Sequence, residues 1–390
     1  MRYLSFCLAF VFSSMSLASH AADATNAVPP PPTLAVKAYM LRDFNSNEVI
    51  AQQASNERVE PASLTKIMTA YLVFKAVKNG HLQLTQTVPV SENAWKGGGG
   101  GCGGNKGSCM FIDPKSIVTV DELMHGMIVI SGNDASVALA ESISGSEQAF
   151  AELMNKEAAR LGMKNTHFLN ATGLPDPQHY TTAYDLSLLA AALIRDYPAE
   201  YKRLYSQKEY TYNKITQPNR NRLLWLDPYV DGMKTGHTAQ AGYCLIASAK
   251  RADFRLISVV LGAPSDSARA TESQKLLNYG FQFYESHLVY KAGQAVTKLK
   301  VWKGHEAIVA ATVANDLSVT LPKGEYANVK ATLTSKQPLI APVSAGQEVG
   351  NIQFTLNGKV IDERKLVAAN AVEVAGIFGR IFDSIKLLFQ

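Results

Sequence analysis

The sequence has no uninterrupted run of the roughly 20 apolar residues that a membrane-spanning helix needs. The apolar segment at residues 4–18 is too short and too weakly flanked to span a membrane, and it leads into Ser19, His20 and Ala21. Small residues at the first and last of these three positions form a signal-peptidase site. We therefore expect residues 1–21 to be a signal peptide, cleaved after Ala21, that exports a bacterial protein to the cell envelope.

A large charge of either sign is also missing. The chain has 38 Lys and Arg against 33 Asp and Glu, and loss of the one arginine in the signal peptide leaves 37 against 33, a net charge of +4. This excess is too small and too dispersed to predict binding to nucleic acid. It is compatible with work at an anionic wall or membrane surface.

Cysteine and histidine are too sparse for a predicted metal site, and we expect neither metal nor cofactor. Cys7 leaves with the signal peptide, so three thiols remain. Cys102 and Cys109 flank a short loop, where a disulfide and two free thiols are equally plausible. Cys244 lies in an apolar strand and should be buried. The histidines expected to be ordinary core or surface residues are His81, His125, His167, His179, His287 and His305.

A serine and a lysine stand three residues apart at a predicted helix start. Ser63 and Lys66 lead into residues 64–76, which lack Gly and Pro and carry periodic apolar residues. A serine in the first turn lies near unpaired N–H groups that can stabilise an oxyanion, and Lys66 shares its face of the helix. Lys66 could serve as a base only if desolvation lowers its pKa. The alternative is a helix cap followed by a solvated lysine.

Two further motifs supply the other polar groups of an acyl-transfer site. Ser131, Gly132 and Asn133 form a predicted turn between helices, where the hydroxyl can relay a proton and the amide can hold Lys66 and the substrate. The alternative is an ordinary turn and cap.

The third motif, Lys234, Thr235 and Gly236, begins a predicted strand. It precedes two runs rich in Val, Ile and Leu, residues 241–249 and 254–262, which we expect to pair as antiparallel strands. Its cation and hydroxyl suit a terminal carboxylate, and its glycine would let a substrate backbone approach closely. The alternative is a solvated lysine at a strand end.

These motifs, together with residues 61–66, 161–168, 219–221 and 231–238, resemble the penicillin-binding serine D,D-carboxypeptidases, which trim the terminal D-alanine from peptidoglycan stem peptides. The resemblance implies that Ser63 is the acylating nucleophile, Lys66 its base and Ser131 a proton shuttle. It also implies that β-lactams acylate the same serine.

The same resemblance implies the substrate-binding residues. Asn133 would bind the substrate amide, Lys234 and Thr235 the D-Ala carboxylate, and the backbone N–H of His237 would complete an oxyanion hole with that of Ser63. Arg269 matches a family arginine near the carboxylate site.

The pattern of elements predicts an α+β fold. After a Pro-rich linker at residues 22–33, strand signals at both ends of residues 34–287 enclose helical signals at 121–161 and 182–194. This order indicates an antiparallel sheet packed with helices, and the resemblance implies the penicillin-recognising fold. Residues 288–367 contain runs that alternate with period two, at 317–322 and 352–356, and Asn357 and Gly358 predict a hairpin turn. This region predicts a small β-sandwich, which would be a spacer or docking platform, with protein binding as the alternative. Residues 371–390 predict an amphipathic helix that lies on the membrane, or else folds back on the second domain.

One segment departs from the family pattern. Eight of the eleven residues at 97–107 are glycine, and we expect this loop to influence deacylation or substrate admission. Rival functions remain at this point: a D,D-endopeptidase, a β-lactamase, or an inactive wall-binding scaffold. A β-lactamase is disfavoured because no Glu-x-x-x-Asn element follows the second motif at a suitable spacing.

Overall fold

The computed structural model describes residues 28–102, 107–114 and 116–389. The predicted signal peptide, residues 1–21, and the first six residues of the predicted linker lie outside the described residues. From residue 28 to residue 34 the chain has neither helix nor strand.

Strands and helices alternate up to residue 283. In chain order the strands of this part are β1 Ala38–Asp43, β2 Val49–Gln53, β3 Thr87–Val88, β4 Val118–Thr119, β5 Glu209–Tyr212, β6 Ile215–Pro218, β7 Val230–Thr238, β8 Gly242–Arg251 and β9 Phe254–Ala263. The helices are α1 Lys66–Lys78, α2 Glu92–Trp95, α3 Val120–His125, α4 Asn133–Ser144, α5 Glu147–Arg160, α6 Ala183–Asp196, α7 Pro198–Leu204, α8 Leu223–Leu226 and α9 Asp266–Phe283. A 3-10 turn, Ala62–Thr65, precedes α1, and a π-helical turn, Gly126–Ile130, follows α3.

Five of these strands form an antiparallel sheet in the order β2-β1-β9-β8-β7. The predicted pairing of the two runs rich in Val, Ile and Leu is confirmed, because β8 pairs with β9. On β1, Leu41 lies close to Gly280 of α9, whereas Arg42 donates a hydrogen bond to Ser187 of α6. Successive strand residues point to opposite faces, so the sheet lies between α9 and α6. Strand β7 is left at one edge.

The helices α1 and α4 are buried in the main hydrophobic core. The predicted helical signal through residues 121–161 is divided in the structure into α3, the π-helical turn, α4 and α5. The divisions before and after α4 fall where Ser131 and Gly145 take left-handed conformations, with φ of 70° and 76°. A left-handed residue ends the hydrogen-bond pattern of a right-handed helix, so the second motif lies at a break between helices.

From residue 284 the chain forms mainly strands. They are β10 Tyr284–Tyr290, β11 Ala295–Trp302, β12 Ile308–Thr312, β13 Leu317–Pro322, β14 Val329–Ser335, β15 Leu339–Ile340, β16 Glu348–Leu356 and β17 Lys359–Ala368. β10 pairs with β13, and the others form a sheet in the order β14-β16-β17-β12-β11-β15. Both sheets contribute to one hydrophobic core, which contains Val319 and Phe354. The predicted hairpin at Asn357 and Gly358 is confirmed, since both residues have positive φ between β16 and β17.

Two elements of the structure lie at the predicted segment boundaries. β10 runs across the predicted domain boundary between residues 287 and 288, because it pairs with β13 of the second part. The last helix, α10 Ile377–Leu387, begins after residue 371, because Val372 exchanges two backbone hydrogen bonds with Val343 and so extends the strand structure. Among the described residues no helix combines the length and the apolar character needed to cross a bilayer.

Candidate active site

Ser63 lies in the 3-10 turn that leads into α1, and glycines let other segments pack closely against this turn. A Cβ on Gly173 would lie 1.8 Å from the carbonyl oxygen of Ala62, so no other residue fits there. A Cβ on Gly236 would lie 3.1 Å from the carbonyl oxygen of Pro61. The structure therefore gives Gly236 a packing role against the serine turn; the close approach of a substrate to Gly236 stays a prediction.

The Lys66 amine makes three contacts in the interior. Its Nζ lies 3.0 Å from Ser63 Oγ, 2.8 Å from Asn133 Oδ1 and 2.6 Å from the carbonyl oxygen of Thr172. The amide and carbonyl oxygens can only accept hydrogen bonds. A neutral amine has two N–H groups and one lone pair, so donation to these two oxygens leaves the lone pair facing the Ser63 hydroxyl.

The environment of Lys66 favours that neutral form. The side chain is only 1% exposed. Burial lowers the pKa of the Lys66 amine to about 7, against the opposing effect of the Asp134 carboxylate, and the Arg220 cation lowers it as well. An amine with this pKa is substantially unprotonated at neutral pH and can accept a proton.

The second motif is held in place by the residue after it. The Asp134 carboxylate accepts hydrogen bonds from the backbone N–H groups of residues 110, 111, 112 and 135, at 2.8 to 3.2 Å. A Cβ on Gly132 would lie 2.8 Å from Asp134 Oδ1, so glycine is required between Ser131 and Asn133. Burial raises the pKa of Asp134, and the four donors oppose that shift. Asn133 is thereby fixed with its Oδ1 at Lys66 Nζ, and Ser131 is held two residues before it in the wall of the same cleft.

The third motif lies on the edge strand β7, paired with β8. Lys234 is 4% exposed, and its Nζ donates to the carbonyl oxygen of Thr235 over 3.3 Å. Burial lowers the pKa of Lys234 well below its ordinary value, and the neighbouring basic groups of Lys66, Arg220 and Arg269 lower it further. Mutual repulsion among these cations would be relieved by an anion, so the site favours a negatively charged ligand.

Arg269 lies next to this strand. Its guanidinium donates to the carbonyl oxygen of Gly236 over 3.3 Å, pairs with Asp266 and lies over the ring of Tyr243. The ring of His237 packs against Tyr243 with a centroid distance of 4.0 Å. Both Arg269 and His237 are thus fixed at the same end of the strand.

These side chains surround one cleft of about 610 Å³. The predicted residues that line it are Ser63, Ser131, Asn133, Thr235, Gly236, His237 and Arg269. Lys66 reaches it through Ser63, and Lys234 lies behind Thr235. The structure therefore brings all nine predicted site residues to one place.

Sequence reasoning missed three groups of this site. The Thr172 carbonyl is a backbone atom on a distant segment and leaves no sequence signal. Asp134 directly follows the second motif, and Arg220 lies within residues 219–221, which resemble the family, and lines the cleft. Both therefore carry a signal in the sequence. His179, expected to be ordinary, is buried and holds Thr65 with a hydrogen bond of 3.0 Å.

Cys102 and Cys109 are bridged by a disulfide in the structure, and Cys244 is buried and unbridged. In the described part of the chain, the side chains that come closest to a metal-ligand set are Cys102, Cys109 and Asp134. They do not fit a metal ion, because the two sulfurs are bonded to each other and the carboxylate already accepts four N–H groups.

A serine hydroxyl 3.0 Å from a buried amine, whose pKa is lowered to about 7, is the arrangement of one class of protein, the serine hydrolases with lysine in place of histidine. The comparisons with known proteins identify the family. The family sequence model for D-alanyl-D-alanine carboxypeptidase, peptidase family S11, matches residues 24–265. The model for the C-terminal domain of penicillin-binding protein 5 matches residues 284–374.

Similar proteins and solved structures agree with the family that the sequence models identify. The chain is 45% identical to the D-alanyl-D-alanine carboxypeptidase DacC of Escherichia coli over 92% of this chain and 90% of the relative. Penicillin-binding protein 5 of Haemophilus influenzae superposes with a TM-score of 0.83 at 43% identity, covering 88% of this chain and 99% of that one. Penicillin-binding protein D2 of Listeria monocytogenes, solved in an ampicillin-bound form, superposes with a TM-score of 0.58 at 31% identity, covering 65% of this chain and 100% of that one. The chain belongs to the S11 family and is a serine-type D-Ala-D-Ala carboxypeptidase.

Proposed function

We propose that this carboxypeptidase removes the terminal D-alanine from peptidoglycan pentapeptides through an acyl-enzyme on Ser63. The observation that carries the proposal is the set of three contacts of Lys66 Nζ, which leave its lone pair for the Ser63 proton. Attack by Ser63 Oγ on the penultimate D-Ala carbonyl forms the new C–O bond while Lys66 takes the hydroxyl proton.

Collapse of the tetrahedral intermediate requires a proton on the leaving nitrogen. Ser131 lines the cleft and is the proposed relay from Lys66 to that nitrogen. The C–N bond then breaks and D-alanine leaves as the amine. Water attacks the ester in a second step, with Lys66 again accepting the proton, and returns Ser63 to its free form.

The basic groups in and around the third motif support the proposed position of the scissile bond, because they would hold the carboxylate of the residue that leaves. We assign the substrate carboxylate to Lys234 and Thr235, with Arg220 and Arg269 supplying further positive charge near it. A carboxylate there would restore the proton of Lys234, because an opposite charge nearby favours the charged form of an amine. The proposed oxyanion hole, made by the N–H groups of Ser63 and His237, stabilises the charge that develops on the carbonyl oxygen.

Covalent inhibition follows from the same geometry. A β-lactam presents a strained amide and a carboxylate, so it would acylate Ser63 with its carboxylate among the same cations. The ampicillin-bound form of the Listeria relative supports this proposal.

The proposed test compares the native enzyme with Ser63→Ala, using a labelled penicillin and a pentapeptide muropeptide. We expect covalent label and released D-alanine from the native enzyme and neither from the variant. Label on Ser63→Ala would contradict the acyl-enzyme assignment. If the label is lost faster than the pentapeptide, the protein is a β-lactamase. Cleavage of dimeric muropeptides would indicate an endopeptidase, and no reaction with either substrate would indicate a scaffold.

We further propose that the exported enzyme is held at the outer face of the bacterial inner membrane by α10. Its large apolar side chains are mostly exposed, with Phe378 89% and Phe382 59% accessible. Asp383, on the polar side of the helix, accepts a hydrogen bond of 2.6 Å from the backbone N–H of Lys303 in the second domain. The polar side thus turns toward the protein and leaves the apolar side free, which favours the membrane over a helix folded back. The second domain would then act as a spacer.

Flotation with anionic vesicles tests this membrane proposal. We expect the mature chain to float, and the variant Phe378→Glu/Phe382→Glu to stay in solution with unchanged penicillin binding. Equal flotation of both proteins would contradict docking through α10.

A further inference from the structure

A disulfide closes the glycine-rich segment at the wall of the cleft. Cys102 and Cys109 are bridged with their Cα atoms 5.4 Å apart. Between them, Gly107 and Ser108 line the same cleft as Ser63. The bridge therefore fixes a piece of backbone that belongs to the active-site wall.

That backbone is in direct contact with Asn133. The N–H of Asn133 donates to the carbonyl oxygen of Ser108 over 2.7 Å. A Cβ on Gly107 would lie 2.8 Å from Asn133 Nδ2, and one on Gly97 would lie 3.2 Å from Asn133 Cβ. Asn133 Oδ1 in turn accepts from Lys66. A chain of contacts thus runs from the disulfide through Ser108 and Asn133 to the Lys66 amine.

The two flanks of the bridge are ordered by different means. After Cys109, the N–H groups of Met110, Phe111 and Ile112 are held by the Asp134 carboxylate. Before Ser108 the backbone is largely glycine, with left-handed φ at Gly97, Gly101 and others. Such backbone is entropically costly to order, and a cross-link removes much of that freedom. Backbone hydrogen bonds to residues 93–97 hold residues 97–101 in turns, and the bridge ties this flank to Cys109 and so to the backbone that Asp134 holds.

We propose that the Cys102–Cys109 disulfide is a positioning element for Asn133, and that its reduction slows acylation of Ser63. The inference rests on the proposed function of Ser63, Lys66 and Asn133. Cys102 is exposed, so a dithiol reductant can reach it. Reduction transfers two electrons and two protons to the bridge, yields two cysteine thiols and leaves the reductant as a disulfide.

The test uses the mature chain in three forms: oxidised, reduced with dithiothreitol, and Cys102→Ser/Cys109→Ser. We expect the second-order rate constant for acylation by a labelled penicillin to fall about tenfold in the reduced and double-serine forms, since small displacements of a positioned group have effects of this size. Reoxidation should restore the rate of the native chain. Dithiothreitol should not change the double-serine variant, and thermal unfolding should show that every form is folded. Equal rates in all three forms would overturn the proposal.

Asn133→Ala separates positioning from general destabilisation. If the bridge acts through Asn133, its loss should cost less than twofold in the Asn133→Ala background, because the coupled group is already gone. A full further tenfold loss would overturn the proposal. Failure of the proposed function has a different signature, namely label on Ser63→Ala whatever the state of the bridge.

Discussion

The two domains of this chain treat charge in opposite ways. The catalytic part buries basic side chains: Lys66, Lys234 and Arg269 are 1%, 4% and 4% exposed. The second part keeps its ion pairs in water, as at Glu348, which pairs with Lys336 and Lys365. Hydrogen bonds from Lys365 and Lys336 lower the pKa of Glu348 to about 2.

This difference in the burial of charged groups shows where the fold is destabilised for the sake of the site. A buried cation without a full counter-charge opposes folding, whereas an exposed pair contributes little in either direction. Buried basic groups are found where a proton acceptor and a carboxylate site are needed. We therefore expect substitutions of the buried basic side chains to change chemistry, and substitutions of the exposed pairs to change almost nothing.

Lys66→Arg should have the largest effect. Guanidinium keeps its proton in proteins, so it cannot accept the Ser63 proton, and acylation by labelled penicillin should fall by about 10³-fold or more. Lys78→Arg, at the exposed end of the same helix, is the matched control and should keep the native rate. Retention of rapid acylation by Lys66→Arg would remove Lys66 from the role of base.

Lys234→Gln should have the next largest effect. Loss of a charge-assisted contact to the substrate carboxylate should lower kcat/KM for a peptide ending in free D-Ala-D-Ala by about 10- to 100-fold. The same peptide with a C-terminal carboxamide lacks that charge and should lose much less. An equal loss for both peptides would show that Lys234 does not recognise the carboxylate.

The pH dependence of stability should reveal the buried amine. The pKa of Lys66 is about 7 in the folded chain against 10.5 for the free amine, so between these values the unfolded chain binds more protons. The native fold therefore gains stability as pH rises through that window. Lys66→Met lacks this gain, so its Tm relative to the native enzyme should be highest at pH 7 or below and should decline toward pH 10. A constant difference in Tm across the window would contradict the lowered pKa.

Glu348→Gln should have the smallest effect. The pairs with Lys336 and Lys365 are exposed, and such pairs rarely change stability measurably. Tm should change by less than about 2 °C and the acylation rate should stay within twofold of the native value. A large loss of either would show that the contrast between the domains is false.

The sequence was sufficient to predict the chemistry and the fold class. The side chains of each motif are close in sequence, so the spacing alone predicts that Ser63 contacts Lys66. The resemblance to the family then predicts that Lys234 belongs to the same site. The alternating strands and the Asn357–Gly358 turn are local patterns too, and the structure has them where predicted.

What could not be predicted depends on contacts between distant segments. The acceptor role of the Thr172 carbonyl needs residue 172 beside residue 66, and no side-chain pattern marks a backbone oxygen. The packing of Gly236 against Pro61 is equally non-local. The late start of α10 follows from the pairing of Val372 with Val343. Spacing alone allows Cys102 and Cys109 to be either bridged or free, and only the structure shows the bridge.

The most direct measurement is the titration of Lys66 itself. In enzyme labelled with ¹³C at lysine Cε, the resonance missing from Lys66→Arg identifies the residue, and its chemical shift can be followed from pH 5 to pH 11. We expect the titration of Lys66 to have its midpoint near pH 7, because burial disfavours the ammonium form. A midpoint near that of an ordinary exposed lysine, at about 10.4, would contradict the claim that this amine is the base for Ser63.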